Sequence, residues 1–97
     1  MNEVIKKWYD EYGQSVRDWA YDMWENCEIS MEEYHAAEVT AAYMEKHGFS
    51  VKAYNCKDSS KPANTVIATW GSGKPVIGIL GEYDGLPGMG QDRKSVV

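Results

Sequence analysis

Hydrophobic residues in the first quarter of the chain recur at helical spacing. Between residues 3 and 26, apolar and aromatic side chains lie three, four or seven positions apart, and charged side chains occupy the positions between them. This pattern predicts an amphipathic helix over residues 3–26. The stripe expected to face the core consists of Ile5, Trp8, Tyr12, Trp19 and Met23, widened by Val16 and Ala20.

A second helix is predicted from about residue 31 to His47. Ser30 followed by Glu33 has the spacing of a capping box, in which each side chain accepts a hydrogen bond from a free backbone N–H group. Gly48 is expected in the left-handed conformation that often follows a helix. The buried stripe of this helix consists of Met31, Tyr34, Ala37, Ala41 and Met44.

The hydrophobic pattern then changes to that of strands. Residues 49–54 alternate between apolar and polar, residues 64–70 are rich in β-branched and aromatic side chains, and residues 75–81 contain an uninterrupted apolar run. Four Gly-rich residues join the last two segments, which favours a hairpin. The predicted fold is α/β, with two N-terminal helices packed on a mixed sheet that contains a hairpin. Its expected core includes Trp8, Tyr12, Trp19, Tyr34, Ala41, Met44, Val66, Ile77 and Ile79.

The composition is that of a globular domain, with 43% hydrophobic and 26% charged residues in a chain of 97. No apolar run approaches the roughly 18–20 residues of a membrane helix, and the first ten residues contain no signal-peptide core. The net charge of −5 would repel a phosphate backbone. We therefore expect a cytoplasmic protein that binds neither membrane nor nucleic acid. Cys27 and Cys56 lack metal-ligand spacing and are expected to be free thiols.

The most informative segment for chemistry follows the apolar run. Glu82 and Asp84 are two positions apart, so in an extended segment they project to the same side. Two carboxylates at the end of a buried strand can serve a cation or a general acid–base step, and they can equally be solvated acids in a turn. The residues alone leave both readings open.

Two other candidate sites are weaker. Gly73 and Lys74 do not form a phosphate loop, because that motif requires Gly at position 68 and Ser or Thr at position 75, where this chain has Ala and Pro. Glu32 and His35 share a helical face, but di-metal bundles need a second such pair and further glutamates. These residues are expected to form a solvated face with an internal ion pair.

The stretch from Pro75 to Gly90, PVIGILGEYDGLPGMG, resembles the signature of the amidohydrolase subfamily of peptidase family M-twenty, in particular the aminobenzoyl-glutamate utilisation protein B group. The usual form in that group is a strand followed by G-E-Y-D-A-L-P-G. The preceding TVIATWGSGKP resembles the hairpin of the group, and the two helices followed by GFSVKAY fit the start of its zinc-peptidase-like catalytic domain. This chain departs from the pattern at Gly85, where Ala is common, and at Met89-Gly90, where Leu-Ser is common.

The resemblance implies a metal-dependent hydrolase that cleaves amide bonds of N-acyl amino acids, aminobenzoyl-glutamate or short, dipeptide-like peptides, with zinc or manganese bound in the full-length family. In the wider family this strand ends in His-x-Asp, where the His binds a metal and the Asp orients the His. Glu82 stands at the His position and Asp84 at the Asp position, so Asp84 and Glu82 become the candidate catalytic residues. The resemblance implies that the metal ligands come from a later Cys/His-rich segment and from further Glu and His residues.

A two-metal site needs several ligands that converge, and this sequence has only two histidines, both in the second predicted helix. We therefore expect residues 1–97 to be the N-terminal portion of a catalytic domain whose remainder and lid or dimerisation domain are absent. Such a chain should be inactive and hold no metal by itself. The alternative is a small non-catalytic interaction module derived from that fold, which self-associates or pairs with a full-length relative through an exposed sheet edge and aromatic surface.

Overall fold

Two helices are followed by two strands in the computed structural model, which describes residues 2–86. Helix α1 spans Glu3–Glu25, helix α2 spans Tyr34–Lys46, strand β1 spans Ser50–Tyr54 and strand β2 spans Thr65–Thr69. Helix α2 contacts α1 on one side and both strands on the other, so it forms the middle layer. The predicted α/β class, with two helices packed together on a sheet, is confirmed.

Helix α1 agrees with the predicted amphipathic helix to within one residue. At its start, the side chain of Asn2 accepts a hydrogen bond of 2.8 Å from the N–H group of Val4 and so caps the helix. Ring packing joins α1 to α2, because Trp19 stacks on Tyr43 with ring centroids 4.5 Å apart. The hydroxyl groups of Tyr43 and Ser15 lie 2.8 Å apart and add a polar contact to the same interface between α1 and α2.

Helix α2 begins three residues later than the sequence predicts, because the Ser30–Glu33 capping box does not form. Met31 has a positive φ of 72°, which a helical residue cannot adopt. The carboxylate of Glu28 accepts hydrogen bonds from the backbone N–H groups of His35 and Ala36, each 2.9 Å long. A carboxylate from the preceding loop thus takes the role that the prediction gave to Ser30.

Within residues 2–86, strands β1 and β2 form a two-stranded antiparallel sheet, where the prediction was a mixed sheet. Its register runs from Ser50 opposite Thr69 to Tyr54 opposite Thr65. Both strands lie inside segments for which the sequence predicts strands. Gly48 follows α2 with a φ of 88°, which confirms the predicted left-handed residue at the turn into β1.

The predicted third strand is wrong, because residues 75–81 form no strand in the structure. Strand β2 pairs with β1 and makes no hairpin with the segment that follows it. Gly71 and Gly73 have φ angles of 85° and 91°, and after them the chain leaves the sheet. Ile77 and Ile79, which were expected in the core, are 82% and 97% exposed. A central strand needs a layer on each face, and the described elements do not provide two such layers.

Among residues 2–86, the hydrophobic residues that are fully buried are Ala36 and Ala37 on α2. Trp8 is 43% exposed, so its assignment to the core is wrong. The other expected core residues are half-buried, namely Tyr12, Trp19, Tyr34, Ala41, Met44 and Val66. Neither of the two helices in residues 2–86 is long and apolar enough to cross a membrane.

Candidate active-site segment

The two candidate catalytic carboxylates lie on residues 82–86, which follow the exposed apolar residues and which we call the candidate segment. Burial alternates along this segment, since Glu82, Asp84 and Leu86 are exposed whereas Tyr83 and Gly85 are partly buried. Glu82 and Asp84 therefore share one side of the segment, as their spacing predicts, and the opposite side is attached to the fold.

Tyr83 attaches the candidate segment through a buried asparagine. Its hydroxyl group donates a hydrogen bond of 2.7 Å to the backbone carbonyl of Asn64, which is only 4% exposed. The Asn64 side chain donates to the carbonyl of Met31 and accepts from the N–H group of Cys56 and the hydroxyl group of Thr65, at 3.1, 3.1 and 2.9 Å. Asn64 thus joins the loop before α2, the start of β2 and the candidate segment.

The surroundings of Tyr83 favour its neutral form. Burial raises the pKa of Tyr83 above the ordinary value of 10, and the negative charges of Glu33 and Glu28 raise it further. A neutral phenol can donate a hydrogen bond, whereas a phenolate cannot. The same surroundings therefore preserve the bond to Asn64.

Gly85 makes the second attachment. Its N–H group donates to the backbone carbonyl of Glu28, and the residue forms an isolated parallel β-bridge with Ile29. A Cβ atom at position 85 would overlap the Sγ atom of Cys27. The resembled signature commonly has Ala at this position. In this chain Gly is favoured there, because the thiol of Cys27 occupies the space that a methyl group would need.

Both carboxylates border open space. Glu82 and Asp84 line a cavity of about 480 Å³ next to α1, and they also line a larger groove of about 1210 Å³, which we call the open groove. Its apolar walls are formed by Trp19, Met23, Met44, Phe49, Val76, Ile77, Ile79 and Leu80. Among residues 2–86, the two carboxylates are therefore open to their surroundings on more than one side.

The described residues do not by themselves form a metal centre. Across residues 2–86, no three His, Cys, Asp or Glu side chains converge. The Nε2 atom of His35 lies 2.7 Å from the Oδ2 atom of Asp22 on α1, so His35 pairs with Asp22 and not with Glu32 as expected. His47 packs against the ring of Tyr43, with centroids 4.5 Å apart. These residues do not fit a two-metal site, so no reaction step through a metal ion follows from them.

Sequence reasoning missed three residues that position the candidate segment: Glu28, Asn64 and Tyr83. Asn64 was predicted as the first residue of the strand 64–70, whereas β2 begins at Thr65, and the strand pattern does not indicate that its side chain bonds across the fold. Glu28 carries a weak signal, because an acidic residue just before a helix is favoured by the helix dipole. The same period-two argument that paired Glu82 with Asp84 assigns Tyr83 to the opposite, inner side.

Comparison with known proteins finds a p-aminobenzoyl-glutamate hydrolase subunit of Escherichia coli (strain K12), which is 40% identical to this chain over 78 residues. The predicted resemblance is confirmed. The matched region covers 80% of this chain and 15% of the relative, so the chain spans a small part of the relative's length. No protein-family model matches the chain, and no solved structure shows significant similarity to it.

Proposed function

We propose that this chain forms part of the catalytic domain of an amidohydrolase similar to p-aminobenzoyl-glutamate hydrolase. The proposal rests on the 40% identity over 78 residues to one subunit of that enzyme. In its finer form, the chain is the N-terminal portion of a cytoplasmic, zinc-peptidase-like domain of the peptidase family M-twenty type. The complete enzyme would cleave amide bonds of aminobenzoyl-glutamate, N-acyl amino acids or short peptides.

Asp84 is the residue that we assign to the hydrolytic site. Its two neighbours, Tyr83 and Gly85, are both hydrogen-bonded to the fold, which supports a fixed position for its carboxylate. Asp84 would accept a hydrogen bond from an imidazole of the rest of the domain, which fixes the ring and raises its basicity. Glu82 is on the same side and would border the same site. A zinc or manganese ion held by residues outside the described part would polarise the amide carbonyl.

One observation favours a second candidate, the non-catalytic interaction module. Residues 76–80 expose an apolar surface that includes Ile79, which is 97% exposed, and Leu80, which is 92% exposed. Contiguous exposed apolar surface of this kind marks interaction sites in soluble proteins. In this second candidate, residues 76–80 form the interaction surface and Asp84 takes part in no reaction.

A chimaera separates the two candidates. The segment of the E. coli protein that corresponds to residues 2–86 is replaced by residues 2–86 of this chain. Hydrolysis of p-aminobenzoyl-glutamate is then measured as the release of p-aminobenzoate. We expect the chimaera to hydrolyse the substrate, and Asp84→Asn to lower turnover about 10–100-fold, because Asn keeps the shape of the side chain and loses its charge.

The controls in this experiment are a distant carboxylate and the neighbouring one. Asp10→Asn changes an exposed carboxylate on α1 that pairs with Lys6 at 3.5 Å, and it should leave turnover unchanged. Glu82→Gln should cost less than Asp84→Asn if Glu82 only borders the site. A chimaera that folds by circular dichroism and shows no hydrolysis would reject the amidohydrolase proposal. Normal turnover of Asp84→Asn would reject the assignment of this residue alone.

A further inference from the structure

Two sulfur atoms from distant parts of the chain lie in contact at the surface. The Sγ atom of Cys56, which follows β1, is 3.7 Å from the Sδ atom of Met31, which precedes α2. Both side chains are accessible, since Met31 is 49% exposed and Cys56 is an exposed free thiol. A thiol and a thioether therefore meet at a point that a dissolved ion can reach.

One buried residue holds the backbone of both sulfur-bearing residues. The side chain of Asn64, which is 4% exposed, donates a hydrogen bond to the carbonyl of Met31 and accepts one from the N–H group of Cys56, each 3.1 Å long. The loop around Cys56 is held further, because the Oδ1 atom of Asn55 accepts a hydrogen bond of 3.0 Å from the N–H group of Lys57. The two side chains start from fixed backbone positions, so a ligand that joins them has little ordering left to impose.

The chemistry of the two donors selects a soft cation of single charge. Thiolate and thioether sulfur atoms are soft ligands that favour Cu(I), whereas Mg²⁺, Ca²⁺ and Mn²⁺ favour oxygen. The thiolate of Cys56 would carry one negative charge and the thioether of Met31 is neutral, so the pair balances a monovalent ion. A structural zinc site needs about four ligands, and within residues 2–86 no three His, Cys, Asp or Glu side chains converge.

The separation of the sulfur atoms suits an ion bound between them. With metal–sulfur bonds of about 2.3 Å, two sulfur atoms 3.7 Å apart subtend an angle of roughly 110° at the ion. This bent arrangement leaves one side of the ion open, so it can be handed over from a small soluble ligand. We propose that Cys56 and Met31 form a binding site for one soft monovalent metal ion, of the class of Cu(I).

Binding at this site is a ligand exchange in which the ion keeps its oxidation state. The Cys56 thiol releases its proton to solvent, and the Sγ and Sδ atoms each donate an electron pair to the ion, which leaves the ligand that delivered it. No oxidant or reductant is consumed. The site uses neither Glu82 nor Asp84, so it goes beyond the proposed function and does not depend on it.

The test titrates the full chain with Cu(I) without oxygen, in competition with a chelator whose Cu(I) complex is coloured. We expect saturation at one ion per chain. Loss of a group that only orients a metal ligand lowers affinity about 10–100-fold, and loss of a ligand should cost at least as much. Met31→Leu, which keeps the volume of the side chain, should therefore weaken Cu(I) binding at least about tenfold, and Cys56→Ser should abolish it.

The matched controls are Cys27→Ser and Met23→Leu. Cys27 is also an exposed free thiol, but within residues 2–86 no hydrogen bond joins it to a thioether, and the Sδ atom of Met23 accepts a hydrogen bond of 3.8 Å from Thr40. Neither change should alter the affinity for Cu(I). Alkylation tests the site in the unaltered chain. Ag(I), which has the same charge and is also soft, should protect Cys56 from iodoacetamide and leave Cys27 reactive, as measured by mass spectrometry of the peptides.

Three results would overturn the proposal. Equal losses of affinity in Cys56→Ser and Cys27→Ser would show that any exposed thiol binds the ion. Unaltered affinity of Met31→Leu would show that the thioether is not a ligand, and one ion for two chains would assign Cys56 to a bridge between copies. If Met31→Leu unfolds the chain by circular dichroism, alkylation of the unaltered chain decides. Selective protection of Cys56 supports the site, and equal protection of both thiols rejects it.

Discussion

The hydroxyl group of Tyr83 donates a hydrogen bond of 2.7 Å to the backbone carbonyl of Asn64. This bond ties the residue between the two candidate carboxylates to a buried polar residue of the fold. Tyr83→Phe removes the donor and leaves the ring, so the free energy of unfolding should fall by about 0.5–1.5 kcal/mol. Urea denaturation followed by circular dichroism measures the change.

Tyr54→Phe is the matched control for this prediction. The hydroxyl group of Tyr54 has no hydrogen-bond partner within residues 2–86, although its ring lies 5.4 Å from the Nζ atom of Lys52. Its replacement should change the free energy of unfolding by less than about 0.5 kcal/mol. Equal effects of the two changes would show that the bond to Asn64 contributes nothing to stability.

Tyr83 should also give the protein a pH dependence at alkaline pH. Its pKa is raised by burial and by Glu33 and Glu28, so the folded chain keeps the phenolic proton to higher pH than the unfolded chain does. Above about pH 10 the folded state binds more protons, and the free energy of unfolding must therefore fall as the pH rises. The decline should be smaller in Tyr83→Phe. Identical pH profiles of the two proteins would contradict the environment described for Tyr83.

Gly85 and Cys27 should behave as a coupled pair. Gly85→Ala places a methyl group against the Sγ atom of Cys27 and within 3.4 Å of the Glu28 carbonyl oxygen, so we expect a loss of about 1–3 kcal/mol. In a Cys27→Ala background, the Sγ atom is gone and the nearest remaining atom of residue 27 is 4.0 Å away. The loss should then shrink by at least about 0.5 kcal/mol. Additive effects in this double-mutant cycle would argue against the contact.

The start of α2 should depend on Glu28 and not on Ser30. The two carboxylate oxygens of Glu28 each accept one hydrogen bond of 2.9 Å, from the N–H groups of His35 and Ala36. Glu28→Gln keeps an acceptor for only one of them, because the amide NH₂ group cannot accept, and Glu28→Ala removes both. We expect Glu28→Ala to cost about 0.5–2 kcal/mol and Glu28→Gln to cost less. Ser30→Ala should be nearly neutral, because Ser30 provides no cap in this structure. Thermal denaturation measures which change costs more stability. The capping-box motif predicts that Ser30→Ala is the costly change, whereas the structure predicts that Glu28→Ala is.

The chain alone should lack hydrolytic activity. Residues 2–86 bring together no three potential metal ligands, and the two candidate carboxylates are exposed. We expect no release of p-aminobenzoate from p-aminobenzoyl-glutamate, and no zinc or manganese retained after gel filtration. One or two tightly bound ions per chain would contradict this expectation and would make Glu82, Asp84 and the residues near His35 the first candidate ligands.

Local patterns were sufficient to predict the elements whose stabilising contacts are local. The helical period located α1, a glycine located the end of α2, and alternation located β1. The prediction failed for residues 75–81, because a strand exists only through its partners and apolar composition alone does not supply them. It failed at Ser30–Glu33 for a related reason, since the free N–H groups of α2 are taken by Glu28, which the capping-box pattern does not include.

In the candidate site, too, the features set by local spacing were predicted and those set by contacts across the fold were not. The spacing of Glu82 and Asp84 correctly placed both on one side of their segment. The attachments on the other side depend on contacts across the fold. Tyr83 bonds to a residue nineteen positions earlier, and Gly85 meets the loop that precedes α2. No local pattern contains such contacts, and so the sequence identified the carboxylates but not what holds them.

Glu28 accepts hydrogen bonds from two parts of the chain that lie far apart in sequence. Its side chain holds the first turn of α2, and its backbone carbonyl holds Gly85, the residue next to Asp84. A rotation or shift of α2 would therefore be transmitted through one residue to the carboxylate at position 84. In the proposed hydrolase, the alignment of Asp84 would then depend on the position of α2.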